Sequence, residues 1–289
     1  MNLFRKIGIV LEMIKFEHTV FVLPFAYIGA VLGSLEIFGR LPTWEQIGWI
    51  TLAMVGARSA AMALNRLIDR HIDAKNPRTK DRAIPKGLVS VPFVWGFVVI
   101  SFLLLFFAAL QLNRLAVYLT PVAVFILVFY SYTKRFTWLC HLFLGIATGA
   151  GPLGGWIGVT AQIDWIAILL FISVTFWIAG FDIIYACQDI EFDRKEQLHS
   201  IPVRFGIKKA LWISSLLHVI TAIGLIILLF VTQLQLWYAI GLVIALTILI
   251  YEHSIVSHND LSRLNTAFFT MNGILSVILF IFTMVDVLV

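Results

Sequence analysis

Two acidic stretches carry most of the chemistry that this 289-residue chain could perform. The first reads Asn65-Arg66-Leu67-Ile68-Asp69-Arg70-His71-Ile72-Asp73. The second reads Asp182-Ile183-Ile184-Tyr185-Ala186-Cys187-Gln188-Asp189-Ile190-Glu191-Phe192-Asp193. Six of the 16 acidic residues are concentrated there. At about 100° per helical residue, Asn65, Asp69 and Asp73 fall within roughly 80° of one another, and Asp182, Asp189 and Asp193 within roughly 40°. Each set presents several oxygen ligands on one helix face. Clustered carboxylates repel one another unless cations hold them, and hard divalent ions bridging a diphosphate meet that requirement. The two stretches read as a Mg²⁺–diphosphate clamp. Asp69, Asp73, Asp189 and Asp193 would hold the metals, with Asn65 and Asp182 as further ligands or orienters.

Basic residues follow both stretches. Arg66 within the first stretch, Lys75, Arg78 and Arg82 after it, Lys195 and Arg204 after the second, and Lys134 in a third loop are candidates to gather over diphosphate oxygens. Tyr185, about 60° from Asp182 around the same helix, is placed to offer its ring to a cation or to anchor the helix at an interface.

The elements that must position these residues are apolar helices. The chain is 61% apolar with a mean hydropathy of +0.96, which is the composition of a polytopic membrane protein. Apolar segments near 19–36, 45–64, 91–110, 115–131, 138–158, 164–184, 211–231, 235–251 and 266–285 give nine spans. The expected fold is all-α: about nine transmembrane helices bundled around a central cavity. One domain covering 1–289 follows, because the acidic stretches must meet and no polar linker separates them.

Of the 21 Lys and Arg residues, 18 lie at the N-terminus or in alternate loops that include both acidic stretches. Arg40 and Arg114 lie on the opposite side, and Arg58 lies inside the second span. The positive-inside rule then makes the N-terminus and both acidic stretches cytoplasmic and puts the C-terminus outside, in a multi-pass protein of the cell membrane. The net charge of +5 is topology plus anion attraction, with no nucleic-acid partner. Leu3 to Phe16 has an amphipathic pattern that reads either as an interfacial anchor or as an extension of the first span. No cleavable signal peptide is evident, and Cys140 and Cys187 show no pairing pattern.

The regions after the two stretches echo each other. Asp73 leads through a basic loop to Ile84-Pro85-Lys86-Gly87, and Asp193 through Arg194-Lys195 to Ile201-Pro202-Val203-Arg204-Phe205-Gly206. This suggests two related halves facing one cavity, although Ile-Pro is a short match. Arg58 sits about two turns before Asn65 on the same face. An intramembrane arginine normally faces the bundle interior, where it either pairs with Asp69 or Asp182 or meets an anionic substrate.

At these residues the chain resembles the UbiA-type superfamily of intramembrane aromatic prenyltransferases. The resemblance rests on Asn65-x₃-Asp69-x₃-Asp73, on Asp182-x₂-Tyr185-Ala186-x-Gln188-Asp189-x₃-Asp193, on Lys134-Arg135-x-Thr137 and on the nine-span pattern. Ile14-Lys15-Phe16-Glu17-His18-Thr19 and Gly56-Ala57-Arg58-Ser59-Ala60 are similar to the 4-hydroxybenzoate polyprenyltransferase-like branch. The resemblance implies a Mg²⁺-dependent enzyme of quinone (ubiquinone or menaquinone) biosynthesis. It would transfer a polyprenyl group from polyprenyl diphosphate to an aromatic acid, either 4-hydroxybenzoate or a dihydroxynaphthoate.

Competing classes fit less well. A transporter also shows intramembrane charge and repeats, but needs no Asn/Asp at i, i+4, i+8 between basic loops. The Asp-Gly signature of phosphatidyl-type transferases is absent, and the seven scattered histidines give no haem-handling spacing.

Overall fold

The computed structural model describes residues 3–16 and 19–289. Glu17 and His18, part of the N-terminal stretch similar to the 4-hydroxybenzoate branch, lie outside the described residues. The described chain is helical throughout, apart from turns and one isolated bridge between Ser257 and Asp260. The long apolar helices are α2 (Thr19–Phe38), α3 (Trp44–Ile68), α5 (Val91–Leu112), α6 (Arg114–Thr133), α7 (Cys140–Thr160), α8 (Trp165–Ala186), α11 (Ile207–Val231), α12 (Leu236–Ser254) and α13 (Asn272–Leu288). Eight spans among the described residues are long and apolar enough to cross a bilayer, the last running Thr266–Leu288. In α2, Val22–Phe38 adds a shorter apolar helix, so the expected count of about nine stands.

An N-terminal helix, α1 (Leu3–Met13), is separate from α2. The chain turns at Ile14–Lys15, with Lys15 at φ 53°. Val10 and Ile14 are buried in a cluster with Leu64 and Leu67 of α3 and Val94 of α5, while Leu3 and Phe4 are exposed. The amphipathic stretch is thus a surface helix laid across α3 and α5, not a continuation of the first span.

The acidic stretches occupy matching breaks. α3 ends at Asp69 (φ −87°, ψ 1°), which also opens the short α4 (Arg70–Lys75). α8 runs through one 3₁₀ turn to Asp189 (φ −100°, ψ 4°), which opens the equally short α9 (Ile190–Lys195). Both aspartates therefore adopt the sparsely populated bridge conformation, and each precedes a further Asp by four residues. Each arm then returns through a glycine at positive φ, Gly87 at 69° and Gly206 at 79°. The Ile-Pro echo itself diverges: Ile201-Pro202 starts α10 (Ile201–Phe205), capped by Ser200, whereas Ile84-Pro85 lies in a turn.

Apolar cores hold the frame. Phe25, Trp156, Leu170, Trp177, Leu225 and Leu279 belong to one buried cluster joining α2, α7, α8, α11 and α13. Outward faces of α5 and α11 carry exposed Ile100, Leu103, Phe106, Val219, Ile223 and Phe230, as helices facing hydrocarbon do. Cys140 and Cys187 are free thiols. Where α2 crosses α7, small residues let backbones touch: a Cβ on Gly29 would meet Pro152 O, and one on Gly155 would meet Ala26 O. Gly155→Leu should therefore force α2 from α7 and cost about 1–3 kcal/mol, as overpacking does. The check is a lowered melting temperature of the detergent-solubilised protein, with Gly154→Leu, at an open position, as the unaffected control.

Candidate active site

A cavity of about 790 Å³ opens between the two breaks. Asn65, Asp69, Asp73, Asp182, Asp189 and Asp193 all line it, so the structure brings the whole predicted acidic set to one space. In its depth the wall turns apolar, with Phe25, Val174, Trp177, Ile178 and Phe181.

Three of the carboxylates are held by cations. Asp69, 2% exposed, accepts from Lys134 Nζ at 2.7 Å and from Arg135 Nη2 at 2.8 Å, and Asn65 Nδ2 lies 3.3 Å from its Oδ2. Asp73 takes both oxygens to Arg82 Nη1 at 2.7 and 2.8 Å. Asp189 is gripped in fork geometry by Arg78, Nε to Oδ1 at 3.0 Å and Nη2 to Oδ2 at 2.6 Å. Burial alone lowers the Arg78 pKa, but the hydrogen bonds and charge of Asp189 outweigh it and raise the group above its ordinary value. Asp193 has no ion pair among the described residues.

These pairs cross the two halves. Arg78 and Asn76 follow the first break yet bind Asp189 of the second, Asn76 Nδ2 reaching Oδ1 at 3.3 Å. Lys75 reaches Glu196 at 2.6 Å across the same gap. Arg78 also donates to Tyr185 Oη at 3.2 Å and lies 5.4 Å from its ring centre. Tyr185 stacks on Phe268 at 4.1 Å. Phe268 comes from a π-helical turn, Thr266–Met271, that precedes α13.

Not every predicted residue lines the cavity, and Asp182, which does, differs from Asp69, Asp73 and Asp189 in its partner. It pairs with no arginine or lysine among the described residues, and its Oδ2 lies 2.7 Å from His141 Nδ1. The reason is the 3₁₀ turn at Cys187–Asp189, which breaks the ideal helix on which Asp182, Asp189 and Asp193 share a face. Lys195 and Arg204 are exposed and do not line the cavity, and Arg204 instead covers the Trp138 ring at 5.0 Å. Lys75 is likewise outside the lining, tied to Glu196. Arg66 lines the cavity and bonds Asn65 Oδ1 at 3.3 Å.

Arg58 lines the cavity on α3. It pairs with neither Asp69 nor Asp182, which have other partners, and its Nε is buried with no hydrogen bond among the described residues. A buried guanidinium without an anion is costly, so this position suits an anionic ligand. Sequence reasoning passed over His141 and Asn76, which no spacing pattern marks, and gave Arg135 no firmer role than its neighbour in the Lys134-Arg135 pair.

The donor set fits a hard divalent cation. Among the described residues no three His, Cys, Asp or Glu side chains converge as an all-protein metal cage. Mg²⁺ is usually held by one or two carboxylates with waters and substrate phosphates rather than by such a cage. Two carboxylate arms with arginine and lysine between them supply that arrangement.

Residues 22–274 match the family described as the UbiA prenyltransferase family. A 4-hydroxybenzoate octaprenyltransferase of Vibrio campbellii is 28% identical over 240 residues, 82% of this chain and 84% of that protein. The apo structure of a UbiA homolog from Aeropyrum pernix is 32% identical and superposes with a TM-score of 0.85 over 93% of this chain and 98% of that one. A UbiA homolog from Archaeoglobus fulgidus bound to DMAPP and Mg²⁺ shares the fold at TM-score 0.74, covering 97% and 99% of the two chains with 20% identity.

Because Arg82 meets Asp73 through both oxygens, Asp73→Asn should strand the guanidinium and cost about 1.5–3 kcal/mol. The double variant Asp73→Asn/Arg82→Gln should regain part of that loss. Thermal melts of Asp73→Asn, Arg82→Gln and the double variant decide it, and strict additivity would mean that the pair contributes nothing.

Proposed function

We propose that this chain, which belongs to the UbiA prenyltransferase family, transfers a polyprenyl group from polyprenyl diphosphate to 4-hydroxybenzoate in ubiquinone biosynthesis. The observation that carries the reading is a single cavity with two cation-bound Asp breaks at its mouth and an unpaired arginine on its wall. Its acceptor is favoured over a dihydroxynaphthoate by relatives named 4-hydroxybenzoate octaprenyltransferase.

Breaking the allylic C1–O bond sends its electron pair to the diphosphate, and the acceptor ring supplies the pair that forms the new bond at a carbon ortho to its hydroxyl. Mg²⁺ bound at Asn65, Asp69, Asp73, Asp189 and Asp193 would neutralise the leaving diphosphate. Arg78, Arg82, Lys134 and Arg135, which hold the carboxylates, would add fixed positive charge at the same oxygens. Tyr185 and Phe268 present stacked rings to the allylic cation, and the apolar wall keeps water from it. Arg58 pairs with the carboxylate of the aromatic acid and orients its ring.

The same reading gives the topology. The N-terminus and both acidic breaks face the cytoplasm and the C-terminus lies outside, in the cell membrane, supported by the Lys/Arg asymmetry and by Ile9 and Met13 of α1, which line the acidic cavity. Single-cysteine labelling should find positions in 75–86 and 194–209 reactive from the cytoplasmic side. A cytoplasmic C-terminus would overturn this orientation.

Asp69→Ala or Asp189→Ala should lower prenyl transfer by at least about 100-fold, and chelation of divalent ions should do the same to the unaltered protein. Assays of membranes with labelled polyprenyl diphosphate read both, and full activity in either case rules out the clamp. Arg58→Gln should raise KM for the aromatic acid about tenfold or more while leaving KM for the diphosphate within about twofold. It should also erase the preference for the acid over its uncharged amide. An unchanged ratio in the folded variant would make Arg58 structural.

A further inference from the structure

Aromatic substitution leaves one proton to be removed: once the new carbon–carbon bond forms, the ring hydrogen on that carbon must depart for the ring to regain its π electrons. We propose that Asp182 takes this proton and that His141 is the positioning residue that aims it, an inference that rests on the prenyl-transfer reading above.

Four observations single out Asp182. Its carboxylate lines the reaction cavity, yet it is free of the arginines and lysines that occupy Asp69, Asp73 and Asp189. A carboxylate already bound in fork geometry by Arg78, as Asp189 is, is a poor base because the pair favours its ionised form. Asp182 bonds through Oδ2 alone, to His141 Nδ1 at 2.7 Å, and about a quarter of its side chain (23%) remains exposed. No hydrogen bond to its Oδ1 occurs among the described residues, so a lone pair is open to the cavity.

The third observation is depth. Asp182 precedes Asp189 by seven residues, about 10 Å along a helix. The diphosphate belongs at the level of Asp189, and the allylic carbon and acceptor ring lie next in line toward the interior. Trp177, Phe181 and Tyr185, which share the helix with Asp182, all line the same space. An acceptor ring lodged among these aromatics has its reacting edge at the level of Asp182.

The fourth is how His141 is fixed. It is 3% exposed at the start of α7, and its Nε2 lies 3.4 Å from the backbone N–H of Ile201, where α10 begins. A backbone N–H facing Nε2 favours the tautomer with its proton on Nδ1, from which it is donated to Asp182. His141 thereby joins three elements, α7, α8 and α10, and holds the Asp182 carboxylate in one rotamer. The step balances: the ring C–H bond breaks, its electron pair returns to the ring, and the proton forms an O–H bond on Asp182, from which it passes out through the open mouth.

The test uses the full-length protein in lipid nanodiscs with Mg²⁺, polyprenyl diphosphate and 4-hydroxybenzoate carrying hydrogen or deuterium ortho to the hydroxyl. Asp182→Asn should lower the rate of C-prenylation about 100-fold or more, the usual contribution of a positioned base. The ring-deuterium isotope effect on C-prenylation by this variant should rise above about 2, because proton loss then limits the rate. His141→Leu should lower kcat about tenfold, leave both KM values within about twofold and raise the ring-deuterium isotope effect to above about 2. His141→Gln, which can still donate to Asp182, should recover most of the rate.

C-prenylation by Asp182→Asn within about threefold of the unaltered rate would overturn the proposal. So would the absence of a ring-deuterium isotope effect in both Asp182→Asn and His141→Leu. Should Asp182→Asn fail to fold, the two His141 variants decide alone. Failure of the unaltered protein to prenylate 4-hydroxybenzoate would overturn the substrate reading and this step with it. With the unaltered protein active, variants that miss these rates and isotope effects overturn this step alone.

Discussion

Mutual repulsion of carboxylates is the constraint around which this molecule is built. Asp69, Asp73, Asp189 and Asp193 share one partly dry cavity, where like charges interact far more strongly than in water. The chain answers with arginine and lysine from loops of both halves, and the answer crosses between them: Arg78 and Asn76 on Asp189, Lys75 on Glu196. Without those crossings the two breaks would push apart and the mouth of the cavity would have no fixed width. The same cations satisfy a second demand, since loops rich in Lys and Arg set the orientation of the neighbouring spans. One set of charges would therefore serve the proposed orientation and anion capture as well as holding the two breaks together.

The way each half is broken explains how much of the site could be read from residue spacing. At the first break the backbone keeps its helical hydrogen bonds, Asp69 N to Asn65 O at 2.9 Å and Asp73 N to Asp69 O at 2.8 Å. An ideal helical wheel therefore places Asn65, Asp69 and Asp73 correctly. At the second break a 3₁₀ turn intervenes, with three residues per turn in place of 3.6. The wheel then loses register, and the carboxylate ahead of the turn, Asp182, finds a histidine from another helix. Spacing predicts side-chain faces only as far as the hydrogen-bond pattern persists.

The apolar helices were readable because nine long runs leave no other fold for a chain of this composition. Loop geometry was not. Lys195 and Arg204 carry the same charge as Arg78 and Arg82 and lie equally near an acidic stretch, yet only the latter two turn inward. What separates them is the path of the backbone: the longer first loop folds back over the opposite break, while α9 and α10 turn the second loop outward. Charge counting cannot register that difference. Nor can hydropathy reveal the π turn at Thr266–Met271, which sets Phe268 against Tyr185.

Depth in the cavity orders the chemistry. At the mouth, charges are paired and strongly solvated oxygens can be replaced by those of a diphosphate. Further in, Tyr185, Phe268, Phe181 and Trp177 offer π faces and no strong nucleophile, the surroundings a short-lived cation needs. Among the polar groups on that wall are Arg58 on α3, which has no ion pair among the described residues, and His141-bound Asp182 on α8. Each would be expensive to bury without a use. In the proposed reaction their opposite charges on different helices would give an aromatic acid one way to lie: its carboxylate to the arginine, its reacting edge to the aspartate. The order of residues along two helices thus becomes an order of chemical events, from leaving group to cation to ring.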